Sequence, residues 1–586
     1  MVGQIFLKTD EHNLEYNVPM INQELAEIFQ NMAEILEFLG NPTERYRIRA
    51  YQNVSLSIKD VSENIEILAK QKRLRDIPGV GEGIAKKIEE YVAHGKIKEY
   101  ELLKKSIPKG FFELMKVPSL GPKKVKALYA ELGIKSIPDL EKAIAAGKVA
   151  QLPGFGEKSS QKMLEGIAIK SSSKGRRLLG DVYLTVQQII ESLRKCKDVM
   201  AVASAGSFRR FEETVGDIDI LATGKHQERI IAYFCKQPYI SKILSRGPTK
   251  ATILLHDGLQ VDLRVLQPDL FGSALQYFTG SKLHNVHLRT FAKNRGFKLS
   301  EYGFFKGEKL VASKTEEECY AALGMQYIPP EMRLDTGEIE AAYRHELPKL
   351  IGLSDIRGDL HAHSTWSDGN HSVLQMAQEA HKRGYEYIAM TDHSPSLHIA
   401  NGLSLDRLKK KKREIDELNA KLPIRILFGT EVDILARGEI DYPDEVLKMF
   451  DVVVASVHRR LNQDNTERIL KAMEHPSVHI IGHPSGRRIG LRQPYSLEYE
   501  KVFKKAAETG TVLEINANYE RLDLQDQYIR EAKRHKCLFS IDSDAHSANA
   551  LWMMSLGIGW ARRGWVLKDE VINTYSLKKL SNILGL

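Results

Sequence analysis

What most constrains this chain is a run of short apolar segments in residues 355–586, nearly all of which end in a side chain able to bind a metal. Asp359-Leu360-His361-Ala362-His363 opens the series, with Ser367-Asp368-Gly369 in the loop behind it. Tyr387 to His393, Ile426 to Glu431, Val452 to His458, His479 to His483, Val512 to Asn516 and Leu538 to His546 follow. Seven strands with helical stretches between them predict an α/β barrel, and barrel enzymes carry their chemistry at the C-terminal rim of the strands. A single histidine is most often packed or hydrogen-bonded structure. That reading does not cover nine ligand-type residues at equivalent strand ends: His361, His363, Asp368, His393, Glu431, His458, His483, Asp544 and His546. A spacing of two on extended backbone puts His361 and His363 on one side, and likewise Asp544 and His546. Six imidazoles with three carboxylates suit two or three Zn²⁺, Mn²⁺ or Fe²⁺ ions better than Mg²⁺, with carboxylates bridging. Arg487 and Arg488 are candidates for a substrate phosphate, against the commoner case of solvated loop arginines. Asp392 either orients a ligand histidine or secures its strand end.

The rest of the chain has a different character. Of 85 Lys+Arg and 76 Asp+Glu in 586 residues, residues 331–586 hold 36 and 37, which leaves 49 against 39 in residues 1–330. The basic front half is the expected surface for a polyanion. Thirteen of the 19 histidines lie behind it. Four scattered cysteines with no CxxC pair exclude a disulfide framework and a thiolate zinc site, and fit a reducing cytoplasm. No apolar run is long enough to span a bilayer, no secretory signal opens the chain, and residues 1–19 read as a loosely ordered extension or as the product of an upstream start codon.

Between residues 70 and 170 one pattern occurs three times: Ile77-Pro-Gly79-Val-Gly81, Val117-Pro-Ser-Leu-Gly121 and Leu152-Pro-Gly154-Phe-Gly156, each ahead of an amphipathic helix. Glycine turns with outward N–H groups at a helix start suit phosphate. Three copies backed by Lys86, Lys87, Lys123, Lys124 and Lys158 point to helix-hairpin-helix gripping of a DNA backbone rather than to simple helix caps. Further on, a strand enters Gly206-Ser207-Phe208-Arg209-Arg210, and Gly216-Asp217-Ile218-Asp219 starts a second. Asp217 and Asp219 share a side, and Asp262 sits on a later alternating strand. Carboxylates gathered in this way call for cations, here Mg²⁺ or Mn²⁺ shared with a triphosphate, and the order of elements predicts a nucleotidyltransferase.

Tyr277-Phe278-Thr279-Gly280-Ser281, Asn285, Arg289 and the Glu301-Tyr302 strand then resemble the family X DNA polymerases. The resemblance implies that Gly206, Ser207, Arg210 and Gly216 hold the triphosphate of a deoxynucleotide, and that Tyr277, Phe278 and Gly280 floor its sugar. Asn285 would meet the minor-groove edge of the base, and Arg289 the template. Lys87 falls where lyase-active members carry a Schiff-base lysine. Their phosphate-binding lysines are here Arg47, Gly83 and Glu99, one positive charge instead of three, which argues against lyase chemistry. Lys282 replaces an aspartate beside the base and is expected to strengthen nucleotide binding. The rear half resembles a PHP domain, a phosphoesterase fold.

The expected architecture is multidomain α+β and α/β: extension 1–19, helical DNA-binding domain 20–105, helix-hairpin-helix fingers 106–172, palm 173–272, thumb 273–335, flexible linker 336–354 and a (β/α)7 distorted-TIM-like PHP barrel 355–586. The expected function is gap-filling DNA synthesis in repair, by a monomer using gapped or primer-template DNA, joined to a 3′-5′ exonuclease, 3′-end phosphatase or abasic-site endonuclease. Two rivals are a non-catalytic DNA scaffold carrying a phosphatase, and a small-metabolite phosphoesterase with a DNA-targeting module.

Overall fold

The computed structural model describes residues 18–585 apart from 61–64, 78, 116, 118–119, 158–159, 161–162, 165–175, 238, 462 and 490–491. It divides into two compact units, one of residues up to 175 with 285–291, the other of residues 176–284 and 292–586.

The first unit is helical. Val18–Leu39 and Arg45–Asp60 bury Leu25, Phe29, Met32, Tyr51, Val54 and Ile58 in one core, as their apolar spacing requires. Glu82–His94 and Pro122–Leu132 start at Gly81 and Gly121 and stop at Gly95 and Gly133, each in the left-handed conformation that favours glycine. The third hairpin turn is described through Leu152–Glu157, while Lys158 lies outside the described residues.

The second unit holds the two largest sheets among the described residues. A five-stranded mixed sheet places Ile218–Thr223 parallel to Gln260–Leu266, with the helix Leu179–Arg194 burying Val182, Val186, Ile189 and Ile190 in the adjoining core. Alternation along Gln260–Leu266 buries Val261, Leu263 and Val265 and turns Asp262 to the other face. The second sheet has seven parallel strands in chain order: Gly358–Ala362, Tyr387–Met390, Arg425–Asp433, Val452–Ser456, Ile480–Ile481, Val512–Asn516 and Phe539–Asp542. A parallel bridge from Ala362 to Ala545 brings first and last together, so the sheet curls into a nearly closed barrel. Continuous apolar runs such as Val452–Ala455 are what strands buried on both faces require.

Two expectations are corrected. Glu301 and Tyr302 are not a strand; they form the turn between Phe297–Ser300 and Gly303–Lys306, because Gly303 needs φ +144. The segment around residues 336–354 is not a flexible tether. Glu338 and Ile339 on the helix Glu338–Tyr343 are buried, and Glu338 bonds the buried His284 at 2.7 Å. Just before it, buried Arg333 pairs with Glu316 at 2.6 Å. Polar side chains in and just before this segment make buried pairings whose partners lie too far off in sequence to be read there.

Candidate active sites

In the five-stranded sheet, Asp219 and Asp262 are direct register partners on adjacent parallel strands, and Asp217 stands exposed just before the first. Burial, then the charges of Asp217 and Asp262, push Asp219 up to about 6, the response of carboxylates crowded without a cation. The Thr252 hydroxyl donates to Asp262, a positioning contact that sequence reading missed because it comes from a different strand, Lys250–Leu255. Gly206, at φ +60, begins the short helix Gly206–Arg209, and a Cβ there would lie 2.8 Å from Asp219 Oδ2. The glycine is what lets the turn reach the carboxylate. Ser207 is on that helix, and Arg210 follows it with Nη1 donating to the Thr279 carbonyl at 2.5 Å and a buried Nε that has no protein partner. Gly216 is exposed at the mouth of the second strand. The Tyr277 and Phe278 rings meet edge to face at 5.2 Å, and Arg264 lies over Phe278. Gly280 ends their helix at φ +68, close to Arg210. Lys282, Asn285 and Arg289 lie on the helix Lys282–Lys293, with Lys282 and Arg289 exposed.

The barrel rim carries all nine expected chelators, and Glu431 is their centre. Its oxygens lie 3.3 Å from His361, 3.5 Å from His363, 3.0 Å from His393, 3.1 Å from His458 and 3.0 Å from His483. Three sets have donor atoms all within 4.8 Å of one another: His363, Asp368, His393 and His546; His361, His363 and Asp544; His393, Glu431 and His458. Burial and the neighbouring imidazoles push His363 down to about 4, whereas the Glu431 and Asp433 carboxylates outweigh burial and hold His458 up to about 9.

The donor set fits divalent cations on a direct test. His361 Nε2, both nitrogens of His363, and Nδ1 of His393 and His483 are buried without a hydrogen-bond partner, which costs free energy unless something binds them. Two carboxylates absent from the expected set explain how these rings are aimed. Glu514 bonds His361 Nδ1 at 2.6 Å and Asp433 bonds His458 Nδ1 at 2.5 Å, leaving each Nε2 turned to the cluster. Glu514 was visible mid-strand in Val512–Asn516, but only the tertiary fold shows which ring it meets.

Asp392 is settled in favour of its structural alternative. It accepts from the backbone and hydroxyl groups of Ser364 and Ser367 and pairs with buried Lys411 at 2.8 Å, which shapes the loop that carries Asp368. Arg487 is not placed for substrate: it is buried, held by Glu213 at 2.8 Å and by the carbonyls of Arg521 and Leu522, and Arg488 pairs with Glu520. The arginine beside the cluster is Arg521, with Nε 3.4 Å from Asp544 Oδ2 and a buried Nη1 that has no hydrogen-bond partner among the described residues.

In the helical unit, Gly81, Gly121 and Gly156 lack left-handed backbone, and among the described residues nothing lies within 4 Å of an added Cβ. The described neighbours therefore give no packing reason for glycine at these positions. Lys87 lines a cleft of about 630 Å³ with Arg47, Glu99 and Leu102. Glu99 pairs with both Arg47 and Lys87, the latter at 3.1 Å, so a carboxylate already engages the amine.

These features agree with the comparisons. Residues 20–97 match the helix-hairpin-helix domain, 111–168 the SAM-like helix-hairpin-helix tandem, 274–334 the DNA polymerase beta thumb and 359–518 the PHP domain. Such an array defines a class: a nucleotidyltransferase core of the polymerase beta type on one chain with a PHP metal barrel. The chain is 36% identical over 574 residues to the DNA polymerase/3′-5′ exonuclease PolX of Bacillus subtilis (strain 168), covering 96% of this chain and 99% of that protein. Its rear part is 31% identical over 242 residues to a probable phosphatase of Syntrophotalea carbinolica, 39% of this chain and 95% of that one. A probable phosphatase of Thermoanaerobacter sp. (strain X514) is 31% identical over 231 residues, 37% and 89%. The chain belongs to the family X DNA polymerases that carry a PHP domain. Membership implies divalent cations at both sites. No helix among the described residues is long and apolar enough to cross a membrane.

Proposed function

We propose that this protein is a DNA-directed DNA polymerase that fills short gaps in repair and, through its barrel, a metal-dependent 3′-5′ exonuclease, working as a cytoplasmic monomer. The observation that carries the reading is the pairing of two separate anionic centres, Asp219 beside Asp262 and the Glu431 cluster, on one chain that aligns with PolX almost end to end. Residues 20–105 and 106–172 grip the DNA backbone at Gly79, Gly81, Gly121, Gly154 and Gly156. The palm 173–272 and thumb 273–335 hold primer end and nucleotide, and residues 355–586 trim the 3′ end.

In synthesis, Asp217, Asp219 and Asp262 form the anionic wall against which Mg²⁺ or Mn²⁺ and the triphosphate are held. Ser207 and Arg210 face the triphosphate from the glycine turn, and the spare Arg210 Nε is a donor for one of its oxygens. Tyr277 and Phe278 lie under the sugar. In the barrel, His361, His363, Glu431 and Asp544, His393, His458 and His483, and Asp368 with His546 hold two or three Zn²⁺, Mn²⁺ or Fe²⁺ ions. A neutral imidazole has one lone pair, so His363 and His393, each in two of the clusters, serve one ion apiece. Such cations supply Lewis-acid stabilisation of phosphoryl oxygens and a water acidified toward neutrality. Arg521 offers its unpartnered Nη1 to a substrate phosphate beside them. Identity of the rear half to two probable phosphatases favours a second reading, a phosphomonoester as barrel substrate.

Labelled gapped DNA incubated with and without deoxynucleotides tests both centres. Wild type should extend and trim, Asp217→Ala with Asp219→Ala should only trim, and His361→Ala should only extend. A wild type that never extends leaves the DNA-scaffold reading standing. Preference for a soluble monoester over a 3′ DNA end, lost in His361→Ala, would support the phosphatase reading.

A further inference from the structure

The loop that leaves the nucleotide turn, residues 210–213, is gripped by side chains of the PHP barrel's own sequence. Arg563, the last residue of the buried helix Met554–Arg563, donates from Nη1 to the Arg210 carbonyl at 2.8 Å. The same nitrogen lies 3.5 Å from Glu212 Oε1, and that carboxylate lies 3.4 Å from Arg210 Nη2. Arg563 is itself fixed by Asp526 Oδ2 at 2.8 Å. Between them Phe211 adopts φ +53, a costly conformation for an aromatic residue, with its ring against Gly559, where an added Cβ would lie 2.0 Å from the ring. Arg487 takes the next carboxylate, Glu213, at 2.8 Å, and both arginines lie over the Trp560 ring.

Ordinary loop packing does not need a guanidinium buried against a backbone carbonyl, an aromatic residue at left-handed φ and a glycine reserved for its ring. Together they set both backbone and head group of Arg210, whose other anchor is the Thr279 carbonyl. We infer that Arg563 and Glu212 are positioning residues for nucleotide binding: through Arg210, the PHP barrel completes the triphosphate site of the polymerase. The inference rests on the polymerase reading above. An arginine aimed by rigid partners loses little freedom when it meets a phosphate, whereas a loose one must be ordered by the nucleotide itself, which weakens binding.

The test uses the full chain with Glu212→Gln and Arg563→Lys, measuring KM and kcat for dATP on gapped DNA, equilibrium binding of a fluorescent dATP, melting temperature and trimming of a 3′ end. Expected is a rise of roughly threefold to thirtyfold in KM and in the dATP dissociation constant, with kcat, trimming and melting temperature near wild type, the lysine variant being the milder. A purely structural clamp would instead lower melting temperature, trimming and kcat together at unchanged KM, and that result overturns the inference, as does unaltered dATP binding in both variants. Should Arg563→Lys fail to fold, Glu212→Gln, at a partly exposed position, decides alone. A wild type that binds dATP yet never extends a primer sinks the polymerase reading, while the binding comparison still decides this one.

Discussion

Gly206→Ala is the sharpest probe of the polymerase centre because its cost is set by two numbers in the structure. At φ +60 an alanine costs about 1 kcal/mol of backbone strain. Its Cβ would lie 2.8 Å from Asp219 Oδ2, where van der Waals contact begins near about 3.5 Å, so turn or carboxylate must give by roughly 0.7 Å. The strain is minor for a unit of this size and should lower the melting temperature by only about 2 °C. The displacement matters more, since about 1 Å of misplacement at a reacting centre costs on the order of a hundredfold in rate. Single-nucleotide extension on gapped DNA at saturating deoxynucleotide should therefore fall on the order of 30- to 100-fold, while 3′-end trimming stays at wild-type level. Extension within about twofold of wild type, with the fold intact, would refute the argument that this turn abuts a working carboxylate.

Three further outcomes follow from the same geometry. Asp219 rises from 3.8 to about 6, so without divalent ions the folded state keeps a proton that the unfolded chain releases, and stability falls as pH climbs through that window. Asp219→Asn should then exceed wild type at pH 8 in chelator by roughly 1–2 kcal/mol after solvent screening, and equal unfolding curves there would contradict it. Glu514→Gln should weaken metal binding at His361 by about 10- to 100-fold, read as a higher metal concentration for half-maximal trimming, with extension unaffected. Lys282→Asp should raise the nucleotide dissociation constant by roughly threefold to tenfold, and an unchanged constant would remove Lys282 from the nucleotide site.

Period and strand-end chemistry made much of the molecule legible. Alternation in Gln260–Leu266 set the face of Asp262, and the strands from Asp359 to His546 announced a barrel, because side-chain direction on a strand follows from local backbone alone. Two misreadings share one cause, partners far off in sequence. Arg487 looked available because it follows His483, yet its partners are Glu213 and two distant carbonyls. Residues 336–354 looked like a tether because they are polar, yet Glu338 is buried against His284.

The amino-acid order alone thus determined which segments become strands and helices, where imidazoles and carboxylates fall at strand ends, and that glycine-led turns precede basic helices, all being properties of neighbours a few positions apart. Only the tertiary structure decided which carboxylate aims which ring, that Arg521 rather than Arg487 reaches Asp544 in the histidine–carboxylate cluster, and that Arg563 bonds the Arg210 carbonyl across 353 residues of sequence. Long-range pairs are chosen by the closing of the sheets and the burial of charge, and no local pattern carries that information.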